Sequence, residues 1–201
     1  MPDERESKER ILDAAHAIFL RRGTVSARTQ EIADEAGVNK ALLHYYFGSK
    51  EALAEEVFRS AIGNFFPRVF GILESEIALE EKAPLVISTY LDFLSAHPYL
   101  PGYVASEMHV HPERIVAVFG GRGPAPLDVL RRQIADGVAA GSLLPISAEQ
   151  FVVNLISLIV FPFFVRPALE FVLQLEGDRF TALIEERKRT LPNFFLNALR
   201  P

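Results

Sequence analysis

Two stretches of this chain hold side chains whose types and spacing could do chemistry. Residues 28–47 read RTQEIADEAGVNKALLHYYF. Two short apolar-periodic segments meet there at Ala36-Gly37-Val38, and a glycine allows the positive φ that a tight helix–helix turn needs. Ile32, Ala33, Val38, Leu43 and Phe47 would pack inward, and the small Ala33 and Ala36 let the two segments approach closely. That is helix-turn-helix spacing. The chemistry it offers is hydrogen bonding to base edges, because the second helix of such a motif lies in a major groove with its N-terminal residues on the bases.

The second stretch is Glu107-Met108-His109-Val110-His111. Carboxylate and imidazole are zinc ligands, but residues two apart on a helix lie about 200° apart. The three converge on one ion only where the segment is not helical. The simpler expectation puts one histidine toward a pocket and the others in solvent. An enzyme built on Glu107, His109, His111 and Asp92 is the alternative reading. No nucleophile elbow, phosphate loop or HExxH motif supports it, so the expectation is a protein that is not an enzyme, with no cofactor and no bound metal. The chain has no cysteine, which excludes a disulfide scaffold, a thiol nucleophile and Cys-ligated zinc.

The elements that must position these residues read as all-α. Ile11, Ala15, Ile18 and Phe19 follow the helical apolar period, predicting a first helix over about 7–22 that stops at Gly23. A second helix is expected over about 28–36 and a third over about 40–47. Ser49 reads as the N-cap of a long fourth helix, with Glu51 in its first turn suited to the helix dipole. Pro84 can open a helix that ends near His97-Pro98, and another covers about 99–111. Gly120 to Pro124 reads as a loop, and an amphipathic helix over about 128–140 ends at Gly141. Ser147 and Gln150 form a capping box for a long apolar helix, which Pro162 and Pro167 must kink or end. The last helix spans about 178–199, with a kink expected at Pro192. No period-two alternation argues for a sheet.

The 201 residues suffice for a sizeable core. The N-terminus has no apolar stretch of the kind a secretory signal needs. Gln150 to Val165 is uncharged for sixteen residues, short of the roughly 18–20 a spanning helix requires, so no membrane is expected and the location is expected to be cytoplasmic. Net charge is −5, which is awkward for a nucleic-acid partner. It is unevenly spread: residues 1–50 carry eight cations and eight anions, whereas residues 51–201 carry thirteen and eighteen.

Residues Thr29 to Leu53, TQEIADEAGVNKALLHYYFGSKEAL, resemble the DNA-binding signature of the tetracycline-repressor (TetR) family. The shared features are an I-A-x-x-A-G-V helix and turn, a recognition helix ending in Y-x-F, and S-K-E-x-L. Ile11-Leu12-Asp13-Ala14-Ala15, Phe19 and Gly23 fit its first helix, so the likeness covers about residues 8–58. It implies a helix-turn-helix DNA-binding domain over 1–48 and a helical ligand-binding and dimerisation domain over 49–201. It also implies a DNA-binding transcriptional regulator, in the usual case a repressor. Asn39 and Lys40 then open the recognition helix, Tyr45 and Tyr46 sit where hydroxyls touch phosphate, and Lys50 matches a phosphate-contacting lysine. Thr29 and Gln30 start a helix whose amides can hold a phosphate, with Arg28 beside them. Leu42 and His44 depart from the pattern; Leu42 could meet a thymine methyl or be core, and His44 could donate to a base or phosphate.

The same likeness implies a homodimer on a palindromic double-stranded operator, joined through the last two long helices. Leu155, Leu158, Ile159, Phe180, Leu183, Ile184, Leu191 and Phe195 are more apolar positions there than one monomer needs. It implies a small-molecule effector too. Phe66, Phe70, Tyr90, Phe93, Leu94, Tyr99, Tyr103, Met108, His109 and Phe161 fall on the helices expected to surround its cavity. An aromatic lining suits a hydrophobic or amphipathic ligand, although aromatics at helical spacing also make ordinary core. A DNA-binding regulator without an effector is the other alternative.

Overall fold

Helical periodicity becomes helix wherever it was read, and no strand occurs among the described residues. The computed structural model describes residues 4–63, 65–98, 100–114, 127–175 and 178–201. The expected loop from Gly120 to Pro124 and the expected cavity residue Tyr99 lie outside them. The chain divides into two compact units, Met1–Asn64 with Gly102–Gly123 and Phe65–Pro101 with Pro124–Pro201.

The first unit holds α1 (Glu4–Ser26), α2 (Thr29–Ala36), α3 (Lys40–Phe47), α4 (Lys50–Ile62) and most of α7 (Leu100–Val110). The apolar stripe of α1 buries Ile11, Ala15, Ile18 and Phe19. Its helical path breaks at Gly23, with φ 72° and ψ 160°, a conformation that a side chain would strain. Against that stripe lie Ile32 and Ala33 of α2, Leu43 of α3, and Leu53, Ala54, Val57 and Phe58 of α4, all buried. Val38 and Phe47, expected inside, are only half-buried; the Lys8 ammonium stands 5.7 Å over the Phe47 ring. The expected boundary after residue 48 therefore falls within this unit, because α4 completes the core around α1.

The second unit holds α5 (Phe65–Glu74), α6 (Leu79–Ala96), α8 (Asp128–Ala139), α9 (Ala148–Phe164), α10 (Arg166–Val172) and α11 (Asp178–Asn197). The fourth helix is shorter than expected. It stops at Ile62 with Gly63 as its cap, and a separate α5 follows. Helix α6 starts at Leu79 rather than at Pro84, which lies inside it. Leu79, Lys82 and Ala83 are buried, and Glu80 and Glu81 suit the first turn, which together outweigh the amide bond that proline removes. Lys82 is fully buried. Its Nζ donates to the carbonyls of Leu73 (2.8 Å) and Ser75 (2.9 Å) and to Gln133 Oε1 (2.7 Å). All three ammonium donors are thus satisfied at the end of α5, while burial pulls the pKa of Lys82 down.

The long apolar run divides as its prolines require. Helix α9 ends at Phe164, and α10 leaves at 68° with Pro167 in its first turn. No single helix among the described residues is long and apolar enough to cross a membrane. Pro192 lies within α11.

Leu155, Ile159, Phe180, Ile184, Leu191 and Phe195 are buried in this unit's own core, with Leu158 partly buried against it; Leu183 is half-buried. They are therefore not the surplus the sequence suggested. The apolar side chains left exposed on the same two helices are Val153, Phe161 (59%), Phe164 and Phe194 (62%).

Candidate nucleic-acid interface

Caps fix the ends of the short helices. Helix α2 ends at Gly37 in the left-handed region (φ 64°), whose N–H returns to the Asp34 carbonyl at 3.1 Å. A side chain there would be strained and would press on Arg10, since a Cβ would lie 3.1 Å from its Nη2. That guanidinium donates to the carbonyls of Ala36 (2.5 and 3.0 Å) and Gly37 (2.9 Å), so a cation from α1 closes the negative end of α2. Asn39 caps α3, its Oδ1 accepting from the Leu42 N–H at 2.7 Å. Ser49 caps α4, its Oγ accepting from the Ala52 N–H at 3.1 Å.

With Leu43 turned into the core, α3 presents Asn39, Lys40, Ala41, His44 and Tyr45 outward, and Tyr45 is 74% exposed. Leu42 and Tyr46 are half-buried at the edges of that face. The His44 ring is anchored, its Nδ1 lying 2.9 Å from the Gly48 carbonyl. A carbonyl only accepts, so this contact makes Nδ1 the donor and leaves Nε2 of the neutral ring as an acceptor. His44 thus turns Nε2 outward, where a neutral ring can accept from a base amine.

On α2, Arg28 and Gln30 are exposed and Thr29 is half-buried. The Gln30 amide donates to Asp34 at 2.8 Å. Two of the three acids of α2 are matched by α1: Glu31 pairs with Arg22 at 3.0 Å, and Glu35 lies 4.0 Å from Arg21. Exposed pairs like these add little stability. Their effect is on sign, because Arg28 and Lys40 form no ion pair among the described residues. A neutral head can thus still present a locally cationic face.

Lys50 behaves otherwise than expected. Its Nζ donates to the carbonyls of Thr24 (3.1 Å), Val25 (3.3 Å) and Ala27 (3.2 Å). Three donors meet three acceptors, so in this arrangement the ammonium clasps the connector that runs from the Gly23 break, through the last residues of α1, to α2 instead of standing free for a phosphate.

The residues expected to line an effector cavity do not come together as one set. Phe66, Phe70, Tyr90, Phe93 and Leu94 belong to the second unit, with Tyr90 and Leu94 buried and the three phenylalanines half-buried. They form an aromatic cluster around Phe65, whose ring stacks on Phe93 at 4.0 Å and meets Tyr90 edge-on at 4.5 Å. Phe66 and Phe70 stack at 6.1 Å. Burial pushes the Tyr90 phenol above its ordinary range. Tyr103 belongs to the first unit and is buried against Phe58 at 6.0 Å, while Met108 and His109 are exposed there. Phe161 points away from the core of the second unit. A groove of 490 Å³ in that unit is lined by other residues, among them Leu144, Gln150, Asn154, Leu158, Phe194 and Leu199.

Glu107 is 2% exposed and does not meet His109 or His111. Its carboxylate accepts from Thr24 Oγ1 at 2.5 Å and from Arg114 Nη1, while His111 Nδ1 lies 3.2 Å from Glu113. The segment is helical to Val110, which is the geometry that separates residues two apart. Among the described residues no three metal-binding side chains converge. Sequence reasoning did not single out Arg10, Thr24 or Arg114. Their partners lie 26, 83 and 7 positions away, and because α7 ends at Val110, even the nearest pair is not joined by one helical face.

Comparison with known proteins bears on the same segment. The family model described as bacterial regulatory proteins, tetR family, matches residues 11–57. A fatty acid metabolism regulator protein of Bacillus subtilis is 28% identical over 95 residues, 47% of this chain and 49% of that protein. The chain thus spans about half the length of that relative. The HTH-type transcriptional regulator BetI of Rhizobium meliloti is 29% identical over 149 residues, 66% of this chain and 72% of its own. Among solved structures, the hemolysin II transcriptional regulator HlyIIR shares the fold with a TM-score of 0.66 at 23% identity, over 99% of both chains. The Bacillus subtilis regulator FadR in complex with stearoyl-CoA does so with 0.63 at 17%, over 94% of this chain and 97% of that one. Helix order, the Gly37 turn, the exposed face of α3 and the family match together mark residues 11–57 as a helix-turn-helix domain of the tetR family of bacterial regulatory proteins.

Proposed function

We propose that the chain is a ligand-responsive DNA-binding transcriptional regulator, acting as a repressor in the cytoplasm. The observation that carries this reading is the exposed face of α3. Asn39, Lys40, His44 and Tyr45 stand out from a helix whose ends are capped and whose opposite side is sealed in the head core. Lys40 and Arg28 supply phosphate contacts that position the head, joined by Tyr45, Tyr46 and the amides at Thr29 and Gln30. Asn39 and His44 read base edges, and Leu42 lies close enough to the face to meet a thymine methyl. One such helix reads only a few base pairs, so the protein works as a homodimer on a palindrome with half-sites roughly 34–36 Å apart. The exposed Phe161, Phe164 and Phe194 favour α9 and α11 as its interface.

The effector is a hydrophobic or amphipathic small molecule. The aromatic cluster of Phe66, Phe70, Tyr90 and Phe93 supports that class, to which the stearoyl-CoA of the FadR structure also belongs. Release follows if the effector binds one head arrangement better than the other, and a coupling of about 1–3 kcal/mol changes operator affinity about 5–150-fold. The test is selection from a random-sequence duplex pool at low salt, followed by gel shifts with long-chain acyl compounds. Enrichment of a palindrome that the compounds displace is the expected result. Failure to enrich any duplex overturns the reading, and a palindrome that no compound displaces overturns its effector part.

A further inference from the structure

A buried polar cluster in the first unit plays no part in the functions assigned above. Glu107 of α7, 2% exposed, joins Thr24 and Arg114, which are themselves buried. Stability alone does not account for it, because a buried ion pair returns about what its desolvation costs. What such a pair does supply is a defined geometry, and here the geometry is imposed on Thr24. That residue follows the break in α1 at Gly23 and opens the connector that leads into the cap of α2 at Arg28.

The carbonyls of the same connector hold Lys50 from the other side. Tyr103, one turn before Glu107 on α7, lies against Phe58 of α4. Its hydroxyl is buried near Thr24 and Glu107. One face of α7 therefore touches both the connector and α4, the two segments between which α2 and α3 are strung.

We propose that Thr24, Glu107 and Arg114 are positioning residues for DNA recognition: the Glu107 carboxylate, oriented by Arg114, sets the connector through the Thr24 hydroxyl and so sets how α2 and α3 are presented. The proposal rests on the DNA-binding reading above. None of the three touches the outward face of α3, so their effect is on alignment and not on contact.

The variants are Thr24→Val, which removes the hydroxyl at nearly constant shape, Thr24→Ser, which keeps it, and Glu107→Gln. Each is checked for folding by circular dichroism. Each is then titrated by fluorescence anisotropy with the duplex that the wild-type chain selects and with a random duplex. Because only part of the energy of one hydrogen bond to a charged group reaches the alignment of α2 and α3, Thr24→Val is expected to hold the selected duplex about 3- to 10-fold more weakly. Affinity for the random duplex and the salt slope should stay unchanged, with Thr24→Ser near wild type. A purely structural role would lower the unfolding temperature and leave the selected-to-random ratio of the folded protein intact; that result overturns the proposal. Should Glu107→Gln not fold, the two Thr24 variants decide. If the wild-type chain selects no duplex, the functional reading falls first and this proposal with it; if it does and Thr24→Val keeps the ratio, only the proposal falls.

Discussion

Replacing Lys50 with methionine keeps the aliphatic stem and removes only the ammonium. Three backbone carbonyls, those of Thr24, Val25 and Ala27, then lose a charged donor at 3.1–3.3 Å. A hydrogen bond to a charged group contributes about 1.5–3 kcal/mol when buried. Lys50 is half-buried and Val25 is exposed, so water can replace part of the set, and screening discounts the sum to about 2 kcal/mol. For a chain of this size about 2–4 °C of unfolding temperature accompanies each kcal/mol, which gives a fall of about 4–8 °C. The DNA assay separates this role from the one the family resemblance implies. A lysine that neutralises a phosphate contributes about 0.9 to the slope of log affinity against log salt. A lysine spent on its own backbone contributes nothing to that slope. Lys50→Met is therefore expected to unfold earlier and to bind the selected duplex with an unchanged salt slope. An unfolding temperature equal to wild type together with a slope reduced by about 0.9 would refute the clasp and restore the phosphate contact.

Three further outcomes follow from the same geometry. Asn39→Ala removes the cap on α3 and should cost about 1 kcal/mol of stability while weakening binding to the selected duplex; urea unfolding gives the first quantity and anisotropy the second. Phe161→Glu combined with Phe194→Glu places charges on exposed positions of α9 and α11; if these helices form the proposed dimer interface, sedimentation at micromolar concentration should show a dimer for the wild type and a monomer for the double variant, and equal masses for the two would reject that interface. Burial, followed by the charge of Glu107, pushes the Tyr103 phenol up to about 12. The native state then holds that proton longer than the unfolded chain, whose phenol titrates near 10. Stability present below about pH 10 is lost as pH rises through the folded value. Tyr103→Phe should flatten that alkaline limb of the unfolding midpoint, and an identical limb in both proteins would reject the assignment.

Local rules carried the helix-turn-helix head a long way. The apolar period of Ile11 to Phe19, the turn at Gly37 and the caps at Asn39 and Ser49 act over four residues or fewer, and they place α1 to α3 within a few positions of where they lie. Outward presentation of Asn39, Lys40, His44 and Tyr45 follows from the same period once Leu43 is buried. The start of α6 escaped such rules, because the burial of Leu79 and Lys82 overrides the usual preference of proline for a first turn. Composition alone also could not divide the apolar positions of α9 and α11 between core and open face.

What the amino-acid order determined by itself is the all-helical class, the helix-turn-helix and the polar face of its second helix, since each depends on contacts within one or two turns. Tertiary structure decided the partners of long side chains. Lys50 could reach a phosphate or a carbonyl, Glu107 a metal or a hydroxyl, Arg10 solvent or the end of α2, and nothing within four residues discriminates between them. Each was settled by a partner at least 26 positions away in at least one of its bonds, because desolvation makes a distant acceptor brought close by folding worth more than water.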